Sequence, residues 1–189
     1  MGYAAGRGDP ERKRSQKWSG IGNDATRGWW SERCHLKEKI LNLTRRETGV
    51  LSLIAQGMTD REIARQLEFS FSTARKYREN LLAKSGLKKS SQLVVKYFVL
   101  FPDALKQNGG LAHIDPCSPR EREVLNLLAS GLSDKQIARA LGISNETARK
   151  HRRHLLNKTA SPNVLTLLCI ALMSGWLGDP ARLLPVNAG

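Results

Sequence analysis

TRRETGVLSLIAQGMTDREIARQLEFSFSTARKYRENLLAK, residues 44–84, returns 74 positions later as SPREREVLNLLASGLSDKQIARALGISNETARKHRRHLLNK, residues 118–158, without a gap and with about half of its positions identical. Gly57 answers Gly131, Ile63 answers Ile137, and Thr73-Ala74-Arg75-Lys76 answers Thr147-Ala148-Arg149-Lys150. A unit of about 60 residues, repeated with its basic segment intact, predicts two copies of one binding device on one chain.

Each copy reads as four helices. The first opens at Thr44 with Glu47 three positions on, or at Ser118 with Glu121 and with Pro119 at the first helical position, which are capping-box signatures. Leu43, Val50, Leu51 and Ile54, or Val124, Leu125 and Leu128, form the apolar stripe, and Gly57 or Gly131 stops the helix. A second helix of about two turns starts at Thr59 or Ser133. A tight turn leads to a third helix from Ser70 or Ser144. The fourth is SSQLVVKYFVLF in one copy and SPNVLTLLCIALMSGWL in the other.

Two short helices joined by a three- or four-residue turn, with Ala64 or Ala138 where they cross, make a helix-turn-helix pattern. In such a pair the second helix enters the major groove. From Thr73, positions 74, 77, 78 and 81 turn toward the core. Ser72, Arg75, Lys76 and Glu79 project outward, as do Glu146, Arg149, Lys150 and Arg153 in the second copy. Arg75, Lys76, Glu79, Arg149, Lys150 and Arg153 are therefore the candidate base-reading residues, because arginine forks onto guanine O6 and N7 and lysine reaches the same acceptors. Ser70, Ser72, Thr73, Ser144 and Thr147 lie at the helix N-terminus, where hydroxyls and amides hold phosphate. The competing reading is a solvated basic face on an ordinary bundle, and it weakens because the cations recur at matched offsets.

The joint pattern T-x-R-E-x-x-V-L-x-L-x-A-x-G, continuing S/T-D-x-x-I-A-x-x-L-x-x-S-x-x-T-A-R-K-H/Y, resembles the LuxR-type helix-turn-helix, also called the GerE or FixJ/NarL C-terminal domain. The resemblance covers roughly residues 44–100 and 118–176. It implies a four-helix DNA-binding domain of bacterial transcription regulators, whose third helix reads the major groove and whose fourth commonly dimerises. On that resemblance the basic reading position falls on Arg75 and Arg149, the next outward positions on Lys76 and Lys150, and the following turn on Glu79 and Arg153. The trailing phosphate-contacting lysine falls on Lys84 and Lys158. The chain departs from the family at Ala74 and Ala148, where valine is usual, and at Arg75 and Arg149, where lysine is usual. It departs again at Glu68, which stands where the second copy keeps the turn glycine, Gly142. Glutamate at a positive φ costs on the order of 1 kcal/mol, so a differently shaped first turn is expected. No stretch of this sequence is expected to form the receiver or the acyl-lactone-binding domain that usually precedes such a module.

The charge agrees with an anionic partner: 31 Lys and Arg against 17 Asp and Glu, a net charge of +14. Residues 40–100 carry 11 cations against 5 acids and 118–189 carry 10 against 5, whereas 101–117 carry 1 against 2. Cys34, Cys117 and Cys169 form no CxxC pair and fit a reduced cytoplasm. The most apolar run, Val164 to Leu177, is 14 residues and too short to span a bilayer.

The expected organisation is all-α: a flexible basic arm over 1–28, a first domain over 29–101, a linker over 102–116, a second domain over 117–178 and a disordered tail over 179–189. Trp29, Arg33, Leu36 and Ile40 share helical spacing, so a leading helix docks through Trp30, Leu36 and Ile40, or the tryptophans stack on bases or on a partner. His151 and His154 lie three apart but lack a third ligand, so no metal is expected, and no cofactor. Nucleophile elbow, phosphate loop and carboxylate dyad are all missing from the sequence, which argues against an enzyme.

The expected function is a cytoplasmic, nucleoid-associated transcription regulator of a bacterium, phage or mobile element. It binds duplex DNA, on an imperfect inverted repeat, as an intramolecular pseudo-dimer through the fourth helices or as a homodimer. Two other readings stay open: an adaptor for RNA polymerase or another regulator, resembling sigma-factor region 4, and an RNA-binding regulator.

Overall fold

A computed structural model describes residues 43–105 and 117–184. Among these there are eight α-helices and no strand, so the all-α expectation is met. The helices are α1 (Arg45–Ala55), α2 (Asp60–Gln66), α3 (Phe71–Lys84), α4 (Ser90–Leu100), α5 (Pro119–Ala129), α6 (Asp134–Leu141), α7 (Asn145–Lys158) and α8 (Val164–Met173). The basic arm, the Trp29–Ile40 helix and most of the linker fall outside the described residues.

The boundaries follow from local chemistry. The Glu47 amide donates to Thr44 Oγ1 at 3.2 Å while Glu47 Oε2 accepts from the Thr44 amide at 2.8 Å, closing the capping box. Ser118 and Glu121 repeat it at 3.2 and 2.9 Å. Such caps contribute about 1 kcal/mol each. At the other end of α1 and α5, Gly57 and Gly131 take φ of 88° and 87°. That conformation lets Met58 N reach Leu53 O and Leu132 N reach Leu127 O, satisfying carbonyls that the helix leaves bare.

The turn between α2 and α3 corrects an expectation. Glu68 sits at φ 54°, beside 64° for Gly142, and Phe69 N bonds Ala64 O at 2.8 Å as Ile143 N bonds Ala138 O at 3.0 Å. The first turn therefore has the same shape as the second. The two helices on either side dictate the path of the chain, and the glutamate accepts the strained backbone. Ala160 does likewise after α7, at φ 48°, where the first copy has Gly86 at 64°.

Val50, Ile54, Ile63, Leu81 and Leu93 are fully buried in the first copy, and Val124, Leu125, Ile137, Leu155, Leu167 and Leu168 in the second. Both copies belong to one compact unit, Leu41–Gly189. α4 packs on α1 in its own copy and on α8 in the other. That double contact explains why Gln92, Leu93, Val94, Val95, Lys96 and Phe98 are all buried, since a helix covered on two sides is shielded nearly all round.

The junction is reciprocal. Gln92 Nε2, at the start of α4, donates to Ser130 O at 3.1 Å, in the turn after α5. Asn163 Nδ2, at the start of α8, donates to Gly57 O at 3.0 Å, in the turn after α1. Each fourth helix thus begins against the first-helix turn of the other copy.

Two further elements differ from the sequence reading. α8 is shorter than SPNVLTLLCIALMSGWL, because the Asn163 side chain accepts from Thr166 N as a cap and Gly175 turns away at φ 68°. The segment after Gly178 forms a 3-10 turn, Pro180–Leu183, which packs on α4, with Leu183 and Leu184 against the core. Its leucines give it apolar surface to bury, which a disordered tail lacks.

Candidate nucleic-acid interface

In both copies α3 or α7 is held against the helix before it by small buried residues. Ala64 and Ala74 in the first copy, and Ala138 and Ala148 in the second, are all 7% exposed or less. Alanine where the family prefers valine thus lies in the helix crossing, away from solvent. An ion pair braces the same crossing. Arg78 turns inward onto Asp60 and also donates to Met58 O at 3.2 Å. Its counterpart Arg152 meets Asp134 at 2.9 Å.

That bracing fixes which side of the helix faces out. Ser72, Arg75, Lys76 and Glu79 are exposed, as are Glu146, Arg149, Lys150 and Arg153. The charges in the two copies are not alike. Arg75 Nε lies 3.2 Å from Glu79 Oε1, an exposed pair, while Arg149 leans toward Asp134 at 3.8 Å. The exposed Arg75–Glu79 pair contributes only about 0–1 kcal/mol, so Arg75 can leave its carboxylate for a base edge at little cost, whereas Arg149 is a loose second partner of the mostly buried Asp134, which Arg152 holds more closely.

At the N-terminus, Ser70 Oγ accepts from Thr73 N at 3.1 Å and lies 2.8 Å from both the Ser72 and Thr73 hydroxyls. Ser144 Oγ accepts from Thr147 N at 3.0 Å. These hydroxyls already cap the helix. A phosphate there would meet the earliest amides, which have no intrahelical partner, and the positive end of the helix dipole.

Lys84 and Lys158 stand at the far end of the helix. Lys84 Nζ donates to Glu47 Oε2 at 2.8 Å and Lys158 Nζ to Glu121 Oε2 at 3.1 Å, with the Lys158 ammonium 5.9 Å over the Trp176 ring. His154 Nδ1 lies 2.8 Å from the second Glu121 oxygen. Burial pushes the Glu121 carboxyl up, but hydrogen bonds from the Ser118 amide, Lys158, His154 and the Ser118 hydroxyl outweigh it and bring it to about 2. Burial likewise raises Glu47 and is outweighed by Lys84 and Thr44, leaving a net lowering. Either lysine would have to share its ammonium to hold a phosphate.

Sequence reading missed several of these residues. The Asp60–Arg78 and Asp134–Arg152 pairs were visible only as identical residues at a 74-position offset. The same offset marks Arg65 and Arg139, and the cations Arg61 and Lys135, all exposed on α2 and α6, the helices that cross the backbone in this motif. Phe71, half exposed at the first position of α3, carries no such repeat signal, since the second copy has Asn145 there. Among the described residues no helix is long and apolar enough to cross a membrane.

Comparison with known proteins bears directly on this arrangement. The family described as "Bacterial regulatory proteins, luxR family" matches residues 41–97 and 115–171, one match per repeat. "Transcriptional regulatory protein MctR" of Rhizobium johnstonii is 43% identical over 61 residues, covering 32% of this chain and 28% of the relative. "Transcriptional regulatory protein FixJ" of Bradyrhizobium diazoefficiens is 37% identical over 68 residues, 36% of this chain and 33% of the relative. "Nitrate/nitrite response regulator protein NarL" of Escherichia coli K12 is 44% identical over 45 residues, 24% and 21%. The chain thus spans a third or less of the length of these relatives, all of which carry regulatory names and none an enzymatic one. No solved structure matches. With both repeats matched by one family and all-helical as their sequence predicts, the chain belongs to the luxR family of bacterial regulatory proteins.

Proposed function

We propose that this chain regulates transcription by binding duplex DNA, in the cytoplasm of a bacterium or on a phage genome, through both repeats at once. In this reading α3 and α7 enter the major groove at two half-sites of an imperfect inverted repeat. Arg75, Lys76 and Glu79 face the bases in one, and Arg149, Lys150 and Arg153 in the other. Ser70, Ser72, Thr73, Ser144 and Thr147 approach phosphates, with Lys84 and Lys158 sharing their charge with the backbone.

The observation that carries the two-site reading is the reciprocal junction, Gln92 to Ser130 and Asn163 to Gly57. Contacts exchanged in this way relate two copies by an approximate two-fold axis, the symmetry that an inverted repeat shares. The fourth helices are engaged within one chain, which supports a pseudo-dimer over a homodimer. Tethering raises the effective concentration of the second unit for its half-site. The difference between Glu79 and Arg153 makes the half-sites unequal.

Selection of duplexes from a random pool, followed by footprinting, tests the reading. The expected result is one site with two protected half-sites, bound more weakly as salt rises. The double variant Arg75→Ala/Arg149→Ala should lose about 1–3 kcal/mol of binding per arginine. An unchanged footprint and affinity for that variant would overturn the assignment, and preferential retention of an RNA of the same sequence would overturn the duplex-DNA reading.

A further inference from the structure

We infer that Phe71 reads the 5-methyl group of a pyrimidine in the half-site taken by the first repeat. The inference rests on the reading that α3 enters the major groove. Phe71 is 50% exposed and is the one large apolar side chain left in solvent among the described residues. Neither the helix nor the core requires it. The second repeat has Asn145 at the same first position of α7 and builds the same cap: Ser70 and Ser144 share φ, ψ of −68°, 153° and −70°, 153°, and their hydroxyls accept from Thr73 N and Thr147 N at 3.1 and 3.0 Å. Phe71 also takes no part in the buried cluster.

Its surroundings indicate the occupant. The side chain lies one turn ahead of Arg75, close to it on the helix surface, and beside the Ser70, Ser72 and Thr73 hydroxyls. These exposed neighbours, Ser70 at the cap and Ser72, Thr73 and Arg75 on α3, are polar or cationic, which suits nucleic acid better than an apolar protein partner. The first residues of a recognition helix are those that reach base edges. On the floor of the major groove the apolar feature is the methyl at pyrimidine C5, and phenylalanine is a side chain suited to meet it. Thymine carries that methyl in ordinary DNA and 5-methylcytosine carries it in modified DNA. The second repeat, with Asn145, has instead a side chain suited to adenine N6 and N7, so the two half-sites differ at this step.

The test uses the full chain and the duplex selected for it. The half-site of the first repeat is identified as the one whose protection Arg75→Ala weakens. Each thymine in it is replaced singly by uracil, which keeps the hydrogen-bonding edge and loses only the methyl, and each cytosine by 5-methylcytosine. One thymine-to-uracil change should weaken the wild-type chain about three- to fivefold, the worth of one buried methyl. Phe71→Ala should weaken binding similarly and be indifferent to that same change, while Phe71→Leu keeps part of the sensitivity. If the sensitive position is a cytosine, 5-methylcytosine strengthens wild-type binding and not that of Phe71→Ala, which identifies the modified base as the source. Equal uracil effects in wild type and Phe71→Ala, or no methyl-sensitive position, overturn the role of Phe71 while leaving groove binding intact. Failure to select any duplex overturns both. Because the ring lies outside the core, an unchanged melting temperature for Phe71→Ala shows that the fold is retained.

Discussion

Glu47 in the first repeat and Glu121 in the second cap equivalent helices, lie equally buried and hold equivalent lysines, yet Glu79 and Arg153, equally matched in position, carry opposite charges. The inward Ala74, Arg78 and Leu81 of α3 recur as Ala148, Arg152 and Leu155 of α7, with the Asp60–Arg78 and Asp134–Arg152 pairs, and the half-buried Tyr77 becomes His151, while the outward Phe71, Ser72 and Glu79 have become Asn145, Glu146 and Arg153. The copies agree where a helix must be held at a fixed angle and at the outward Arg75-Lys76 and Arg149-Lys150 pairs, and differ at the other outward positions. Packing tolerates little change without a stability cost, whereas an exposed position on a helix is usually nearly neutral and is free to be set by what it touches.

The junction offers the largest effect. A Cβ on Gly57 would lie 2.6 Å from the Thr166 backbone, whereas one on Gly131 would lie 3.0 Å from the flexible Gln92 side chain. Both glycines also have positive φ. Gly57→Ala should therefore cost about 2–4 kcal/mol, combining left-handed strain with overpacking, and Gly131→Ala only about 1–2 kcal/mol. Urea denaturation of the two variants measures this. Equal losses would show that the ends of the junction are interchangeable.

Acid should separate the buried carboxylates next. The folded pKa of Glu121, about 2, lies below the ordinary 4.5, so its contribution to stability is complete above about pH 4.5 and disappears as pH falls toward 2. The amount at stake is on the order of 3 kcal/mol. Glu47 is shifted in the same direction, but its copy has Asn80 where His154 donates to Glu121. Stability measured from pH 6 to 2 should lose more of its slope in Glu121→Gln than in Glu47→Gln, and the reverse ranking would remove His154 from the account.

The smallest effect concerns the exchanged turn residues. Glu68→Gly and Ala160→Gly each place glycine where the other repeat has it, at φ of 54° and 48°. Relief of left-handed strain is offset by the added freedom of the unfolded chain, leaving a gain of a few tenths to about 1 kcal/mol. Thermal melting should rise slightly for both. A fall in either would mean that the native side chain makes a contact worth more than the strain.

Much of this molecule is legible without coordinates because the signals are local. Thr44 with Glu47, Ser118 with Glu121, and Gly57 and Gly131 announce helix starts and stops within four residues, and the period from Thr73 sorts inward from outward positions. The repeat then doubles the weight of every such sign. Local logic fails where packing overrides it: Glu68 takes the turn shape of glycine because α2 and α3 dictate the path, and Leu183 and Leu184 leave the tail to pack on the core.

The sequence by itself determined two four-helix units, their caps, and the outward cationic faces of α3 and α7, since each depends on residues within one or two turns of one another. Only the tertiary structure decided that Arg78 and Lys84 turn to Asp60 and Glu47, that Glu68 accepts a left-handed backbone, and that Gln92 and Asn163 lock the copies together. The ion pairs and junction bonds among those outcomes join atoms 18 to 106 residues apart along the chain, and the Glu68 turn follows from how the helices on either side of it pack. A buried carbonyl or carboxylate takes whatever donor the packing brings within reach, and no periodicity in the sequence records which one that will be.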